Sequence, residues 1–401
     1  MSKLDELLRE LCPDGVEYKK LGEIATISRG GNFQKKDFLT EGVPCIHYGQ
    51  IYTKYGLFAD KTFTFISEEC AKKQKMARPN DIVMAVTSEN IEDVCKCLAW
   101  LGDEPVAVSG HSAIIHHNQN AKYLVYYFHS QMFFAQKRKL AHGTKVIEVT
   151  PDALVDIALP VPPIEIQREI VRILDNFTNL TAELTAELTA RGIQYSYYRN
   201  KLLTFHSDTK IVQLADIADI GTGSSNTNEA VEDGKYPFFV RSQEPLRKND
   251  FEYDETAIIT AGDGVGVGKV YHYIEGRYAL HQRAYRIHIN TPEVVPKYYF
   301  HYMKAKFLPY IQKTMFQGSV ASIRRPMLNA FPVPVPSLDV QNRIVKVLDN
   351  FEKICSDLNI GLPAEIEARQ KQYEYYRDKL LTFAENGNTI LSRAEQSRAE
   401  H

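Results

Sequence analysis

Apolar residues recur in a four-three rhythm along two stretches of the chain. The first runs Ile166, Ile170, Ile173, Phe177, Leu180 and Leu184, and continues with shifted phase to Tyr195, Tyr198 and Leu202. The second runs Val340, Ile344, Val347, Phe351, Ile354 and Leu358, then Tyr373, Tyr376 and Leu380. This spacing returns to one helix face every heptad and predicts a pairing seam. Pro160 to Pro163 and Pro332 to Pro336 stop any preceding helix and favour a fresh start, after which Glu165 and Asp339 put a carboxylate where the helix dipole favours one. A helix of roughly 39 residues, about 58 Å long, cannot bury such a stripe unaided. The two stretches are therefore expected to pair antiparallel as a coiled coil, a strut with one globular domain at each end. The alternative is that each packs on its own domain. The second stretch is four residues longer between Phe351 and Gln372 than the first between Phe177 and Gln194, and its Gly361-Leu-Pro363 predicts a break.

Elsewhere the apolar runs are short. Asp81-Ile-Val-Met-Ala-Val86 and Ala257-Ile-Ile-Thr-Ala261, bounded by Pro, Asn, Gly and Asp, read as strands. Ala121 to Lys139 and Lys297 to Gln312 read as helices, so each globular part is mixed α/β.

The chain is also written twice. Leu21-Gly-Glu-Ile-Ala-Thr-Ile27 recurs as Leu214-Ala-Asp-Ile-Ala-Asp-Ile220, followed at equal distance by Gly30 and Gly223. Pro44 to Gln50 aligns with Pro237 to Gln243, Tyr127-Phe-His129 matches Tyr299-Phe-His301, and Gly143-Thr144 matches Gly318-Ser319. Agreement sharpens at the ends: Pro160-Val-Pro-Pro-Ile-Glu-Ile-Gln to Leu174-Asp-Asn-Phe177 returns as Pro334-Val-Pro-Ser-Leu-Asp-Val-Gln to Leu348-Asp-Asn-Phe351. Tyr197-Tyr-Arg-Asn-Lys-Leu-Leu-Thr-Phe205 returns as Tyr375-Tyr-Arg-Asp-Lys-Leu-Leu-Thr-Phe383. Two units this long make a pseudo-dimer on one chain rather than a solenoid. The expected architecture is α/β: a first domain over 1–160, a helix over 161–205, a second domain over 206–335, a helix over 336–383 and a polar tail over 384–401.

Composition narrows the class. At 401 residues and 44% apolar, the chain can form two or three domains with real cores. It has no run of roughly 20 apolar residues, and Met1 to Glu10 lacks a signal-peptide core, so a soluble cytoplasmic protein without membrane association is expected. Cys95 and Cys97 lack a second ligand pair, so no metal site is expected. A net charge of −2 carries no overall nucleic-acid signal, and binding DNA would require the cations to gather on one face.

The duplicated Pro-Val-Pro opening with Ile/Val-Gln and Leu-Asp-Asn-Phe, the duplicated Tyr-Tyr-Arg-x-Lys-Leu-Leu-Thr-Phe close, and the tetrapeptides Thr181 to Leu184 and Thr185 to Leu188 resemble the specificity subunits of type I restriction-modification systems from about Leu4 to Phe383. The tetrapeptide pair is similar to the IC-like subgroup, whose tetrapeptide number sets the gap between half-sites. The resemblance implies two target-recognition domains, each reading half of a bipartite, asymmetric site in double-stranded DNA. It also implies two methyltransferase subunits and two restriction subunits as partners, to which S-adenosylmethionine, ATP and magnesium belong. Cell defence against foreign DNA is the implied role.

No catalytic constellation is evident. Gly262-Asp-Gly-Val-Gly-Val-Gly268-Lys269-Val270 departs from a phosphate loop at Asp263 and Val270 and reads as a strand-turn-strand hairpin. His111 and His281 occupy similar places in the two repeats, but no carboxylate or nucleophile accompanies both. Base readout needs polar side chains on loops. The candidates are Asn32, Gln34, Lys35, Lys36, Tyr48, Gln50, Lys54 and Lys145 in the first repeat; in the second they are Ser224, Ser225, Asn226, Arg241, Gln243, Arg247, Lys248, Arg324 and Arg325. The competing reading is a protein-only scaffold that organises partners without DNA.

Overall fold

The computed structural model describes residues 2–314, 322–356 and 360–383, so Gly318, Ser319, Leu358 and the tail after Phe383 lie outside the described residues. The chain forms two compact units, Met1–Glu183 with Ile366–His401, and Leu184–Glu365.

The first unit carries a five-stranded sheet in the order Ala25–Arg29, Ser112–His117, Ile82–Ala85, Cys97–Trp100, Phe58–Ala59, and a four-stranded sheet in the order Thr64–Ile66, Val43–Ile46, Val106–Val108, Lys75–Ala77. Ile82–Ala85 is apolar at every position because both of its faces are covered. Ile82 and Met84 face a core built with the helix Ala121–Phe128, whereas Val83 and Ala85 face one built with Ile46, Ile51 and Val108. The expected helix over 121–139 is two helices, Ala121–Phe128 and Gln131–Leu140, because the Ser130 hydroxyl accepts the Phe133 N–H and starts a new one.

In the second unit six strands follow the order Ala218–Thr222, Ala284–Ile289, Tyr253–Ala261, Tyr271–Leu280, Tyr236–Phe239, Leu246–Lys248. The glycine-rich segment after Ala261 joins two antiparallel strands, as a hairpin should.

Each head is tied to its helix in the same way. Tyr18–Lys20 pairs antiparallel with Ala158–Pro160, and Ile211–Gln213 pairs with Pro332–Pro334 in the same register. Tyr123 and Tyr127 donate to the carbonyls of Pro160 and Ala158; Tyr298 and Tyr302 donate to those of Pro334 and Pro332. These bonds correct the alignment of Tyr127-Phe-His129 with Tyr299-Phe-His301: the structural counterparts are Tyr123 with Tyr298 and Tyr127 with Tyr302, nearly one helical turn away. His111 and His281 are likewise not counterparts. His281 N–H donates to the Phe239 carbonyl, and it is Ser109 N–H that donates to the matching Ile46 carbonyl.

The repeated glutamine is the joint. Gln167 is fully buried; its Oε1 accepts the Asn120 N–H at 3.0 Å, and its Nε2 donates to the Pro162 carbonyl and to Gln119 Oε1, each at 2.8 Å. Gln341, equally buried, accepts the Val295 N–H and donates to the carbonyls of Glu293 and Pro336, each at 2.8 Å. About two helical turns further along, Asp175 accepts from Lys122 Nζ and the Tyr126 hydroxyl, and Asp349 accepts from His301 Nε2.

The helix Ile164–Leu202 gives its first half to one unit and its second half to the other. In the first unit Phe177 stacks on Tyr376 of the helix Leu362–Leu380, centroids 5.4 Å apart. In the second, Tyr198 stacks on Phe351 of the helix Leu338–Ser356 at 5.9 Å, and the Tyr195 hydroxyl donates to Glu352. Phe177 corresponds to Phe351 and Tyr376 to Tyr198, so one stack is the repeat image of the other. Both expectations for the helices hold together: the opening turns pack on their own head and also meet the closing turns of the other repeat.

The seam is not uniform. Ile166, Ile170, Ile173 and Phe177 are buried, Leu180 and Leu184 half-buried, Ile344 buried and Phe351 half-buried. Val340, Val347 and Ile354 are exposed, and the buried face of that helix is Gln341, Ile344 and Leu348. In the first unit Ile166 and Ile173 share a core with Leu4 and Leu8 of the helix Lys3–Leu11, whose Lys3 pairs with Glu169 at 3.0 Å. The second unit has no such helix among its described residues.

Replacing Gln341 by Leu strands the Val295 N–H and two carbonyls, and is expected to cost about 2–3 kcal/mol in urea unfolding of the full chain; an unchanged midpoint would contradict the joint. A second expectation concerns His117, whose pKa burial lowers from 6.5 to about 4 despite the opposing charge of Asp81. The unfolded chain takes up this proton below pH 6.5 and the folded chain only near 4, so the stabilisation is complete above 6.5 and lost as pH falls between those values. Thermal melts of His117→Gln should show a shallower decline across that window than the parent.

Candidate nucleic-acid interface

Two glycines shape the polar surface of the heads. Gly30 lies against the edge of the strand Val106–Val108: a Cβ there would sit 2.6 Å from the Val108 carbonyl oxygen and 2.2 Å from that of Ser109. At Gly223 a Cβ would meet the Leu280 carbonyl oxygen at 1.8 Å. Only glycine lets the chain leave its strand this closely in either repeat.

Beyond Gly30 the chain borders a cleft of about 810 Å³ lined by Arg29, Asn32, Gln34, Lys35, Lys36, His47, Tyr48, Lys73, Lys75 and His111, with no carboxylate in its wall. Arg29 is ion-paired with Glu148, and Lys73 reaches Glu69 only at 4.0 Å. His47 caps the short helix Tyr48–Thr53, its Nδ1 accepting the Gly49 N–H. Burial first, then the charges of Lys35 and His111, lowers its pKa. Its ring lies 4.6 Å from Tyr48, which lies 4.9 Å from His111, forming an aromatic wall beside the lysines.

Five expected residues, Asn32, Gln34, Lys35, Lys36 and Tyr48, thus meet in one place. Three do not. Gln50 is buried, its amide committed to the His47 N–H and to Thr64. Lys54 is exposed over the Phe63 ring, and Lys145 is exposed on its loop, both outside the cleft wall. Sequence reasoning passed over Lys73 and Lys75, although the run Lys72-Lys-Gln-Lys75 was a visible signal.

The second head arranges its polar groups differently. Arg241 pairs with Asp263 at 2.7 Å, and Asp263 also takes Arg283, which the sequence reading did not single out. Lys248 is held by Glu229 at 2.7 Å and Asp250 at 3.3 Å. Arg247 donates to the carbonyls of Gly234 and Lys235. The Ser224 N–H bonds Glu252, Ser225 is buried, and Asn226 opens a short helical turn and accepts from Gln282. Gln243, Arg324 and Arg325 are exposed. His301, Asp349 and Glu352 gather closely enough to suggest metal ligands, but Lys304 holds Glu352 at 2.6 Å and Lys297 approaches Asp349, so the cluster is already charge-balanced.

A family model described as the type I restriction modification DNA specificity domain matches residues 13–191 and 206–368, one copy per repeat. The chain belongs to this family. Among curated members, it is 37% identical over 251 residues to the specificity subunit of the type I restriction enzyme EcoR124I/EcoR124II of Escherichia coli, a match covering 56% of this chain and 61% of that subunit. It is 28% identical over 311 residues to a putative type I restriction enzyme specificity subunit of Haemophilus influenzae, covering 71% of this chain and 77% of that one. The chain thus spans less than two thirds of the E. coli subunit in that match. The fold is similar to that of the S subunit of a type I restriction-modification system from M. genitalium, with a TM-score of 0.59 at 13% identity over 92% of this chain and 98% of that one.

Gly30→Ala forces a methyl group onto two carbonyl oxygens. The expected result is a melting temperature lower by several degrees, from a loss of about 2 kcal/mol or more; an unchanged melt would show that the chain can leave the strand by another path.

Proposed function

We propose that this protein is the DNA-reading, non-catalytic subunit of a cytoplasmic type I restriction-modification complex, and that it recognises a bipartite site with unlike halves. The observation that carries this is the first head's cleft, where cations with no lining carboxylate stand beside the exposed Asn32 and Gln34 and the half-buried ring of Tyr48. A wall of that composition suits a phosphate backbone with base edges above it. The second head carries different polar groups on an equivalent frame, which supports two unlike half-sites rather than a palindrome.

Two methyltransferase and two restriction subunits are the proposed partners; S-adenosylmethionine, ATP and magnesium serve their chemistry. Within the long helix, residues 178–202 include no fully buried side chain, so the tetrapeptides Thr181 to Leu188 form a stretch that places no fully buried residue in either core. One further tetrapeptide adds about 6 Å of helix, on the order of one to two base-pair steps.

Titrating the full chain with its methyltransferase subunits against duplex DNA over a salt series tests the proposal. Affinity should fall steeply with salt, and Lys35→Glu with Lys73→Glu should flatten the log-log slope by roughly two. Binding that ignores salt, or no binding, would favour a scaffold that touches only proteins. Mapping methylated adenines with and without the gene should reveal two unlike half-sites; a palindromic motif would contradict the asymmetry.

A further inference from the structure

The loop joining strands Tyr253–Ala261 and Tyr271–Leu280 is braced at its base. Gly262 N–H donates to the Arg283 carbonyl at 2.9 Å, and Ile323 N–H donates to the Gly262 carbonyl at 2.8 Å. The Arg241 carbonyl lies so close to Gly266 that a Cβ there would sit 2.4 Å from it. Between these supports Asp263 binds Arg241 through one oxygen at 2.7 Å and Arg283 through the other at 3.3 Å. The two arginine side chains remain 42% and 61% exposed, whereas Asp263 is only 22% exposed. Arg241 and Asp263 line an open pocket together with Thr227, Ser242 and Val265, the last standing 93% exposed at the loop tip.

This arrangement differs in kind from the lysines of the first head. A lysine ammonium on a flexible stem neutralises phosphate whatever the sequence beneath it. A guanidinium fixed by a carboxylate presents its remaining N–H donors as an oriented fork, and in the major groove that fork matches the O6 and N7 acceptors of guanine. The shared carboxylate also lowers the local positive charge, which weakens general attraction to the backbone while leaving the donors in place.

We infer that Arg241 and Arg283 are the base-reading residues of the second head, that they take guanine edges, and that Asp263 is the residue positioning them. The inference rests on the proposal that the chain reads DNA.

The test uses the full chain with its methyltransferase subunits and a duplex carrying the motif found by adenine mapping. Each guanine is replaced singly by 7-deazaguanine, which removes N7 and keeps Watson–Crick pairing. At one or two guanines of one half-site the parent should lose roughly fivefold to a hundredfold in affinity. Arg241→Ala or Arg283→Ala should lose a similar factor on the natural duplex and nothing further on the analogue. Arg241→Lys and Arg283→Lys keep the charge and lose the fork, so they should behave like the alanine variants toward the analogue with the salt slope unchanged. Asp263→Asn should show a partial version of the same non-additivity, whereas Lys35→Ala should add fully to the analogue's loss. The inference is overturned if no guanine is sensitive, or if every analogue loss adds in full to the arginine variants. A complex that binds no duplex at all instead removes the DNA-reading proposal itself, and this inference with it.

Discussion

The pair of ring stacks, Phe177 on Tyr376 and Tyr198 on Phe351, is the contact on which the architecture turns. Each joins the opening of one repeat's helix to the close of the other's. The consequence reaches into both cores: Leu380, Leu381 and Phe383 end the second repeat yet belong to the first unit's core, and Leu203 ends the first repeat yet belongs to the second's. Neither repeat can complete its hydrophobic interior from its own residues. This explains why the chain is duplicated in full and why the closing Tyr-Tyr-Arg-x-Lys-Leu-Leu-Thr-Phe is repeated so closely. It supplies a neighbour's core, where a change of shape is felt at once.

Polar residues divide between frame and surface by the same logic. Gln167 and Gln341 sit at helix openings where a strand end and a loop bring backbone groups inside, and an amide offers both an acceptor and two donors to satisfy them. The surface has no such constraint and has diverged. In the first head lysines face a cleft without a carboxylate in its wall; in the second most of the cations noted above are matched to an acid or a carbonyl. A net charge of −2 is therefore compatible with a strongly cationic local surface, because the charge is distributed unevenly rather than absent.

Features fixed by the chain's own local order are legible in the sequence: the duplication, the helix starts after proline, the break near Gly361 and the hairpin nature of the glycine-rich loop. What depends on a partner across space is not. The identity of Tyr127-Phe-His129 with Tyr299-Phe-His301 is a misleading match, since hydrogen bonds to strand carbonyls, invisible in one dimension, set the register. The heptad pattern at Val340, Val347 and Ile354 is as good as that at Ile166 and Ile173, but only the latter shares a core with the helix Lys3–Leu11. Gln50 stands among surface candidates in sequence and inside the protein in space. Five of the proposed DNA-contacting residues converge on one cleft because the segments that follow the strands Ala25–Arg29 and Val43–Ile46 both border it, a grouping that sequence separation conceals.

The glutamine joint makes head and helix-start a transferable piece. Because Gln167 and Gln341 grip backbone groups rather than head-specific side chains, apart from Gln119, a different head ending in the same ribbon could be seated on the same opening turns. Recombination within these repeated stretches would then exchange a whole polar head surface in one event. Lineages carrying such a chain could change their molecular signature by shuffling intact modules, without passing through intermediates whose interior no longer fits.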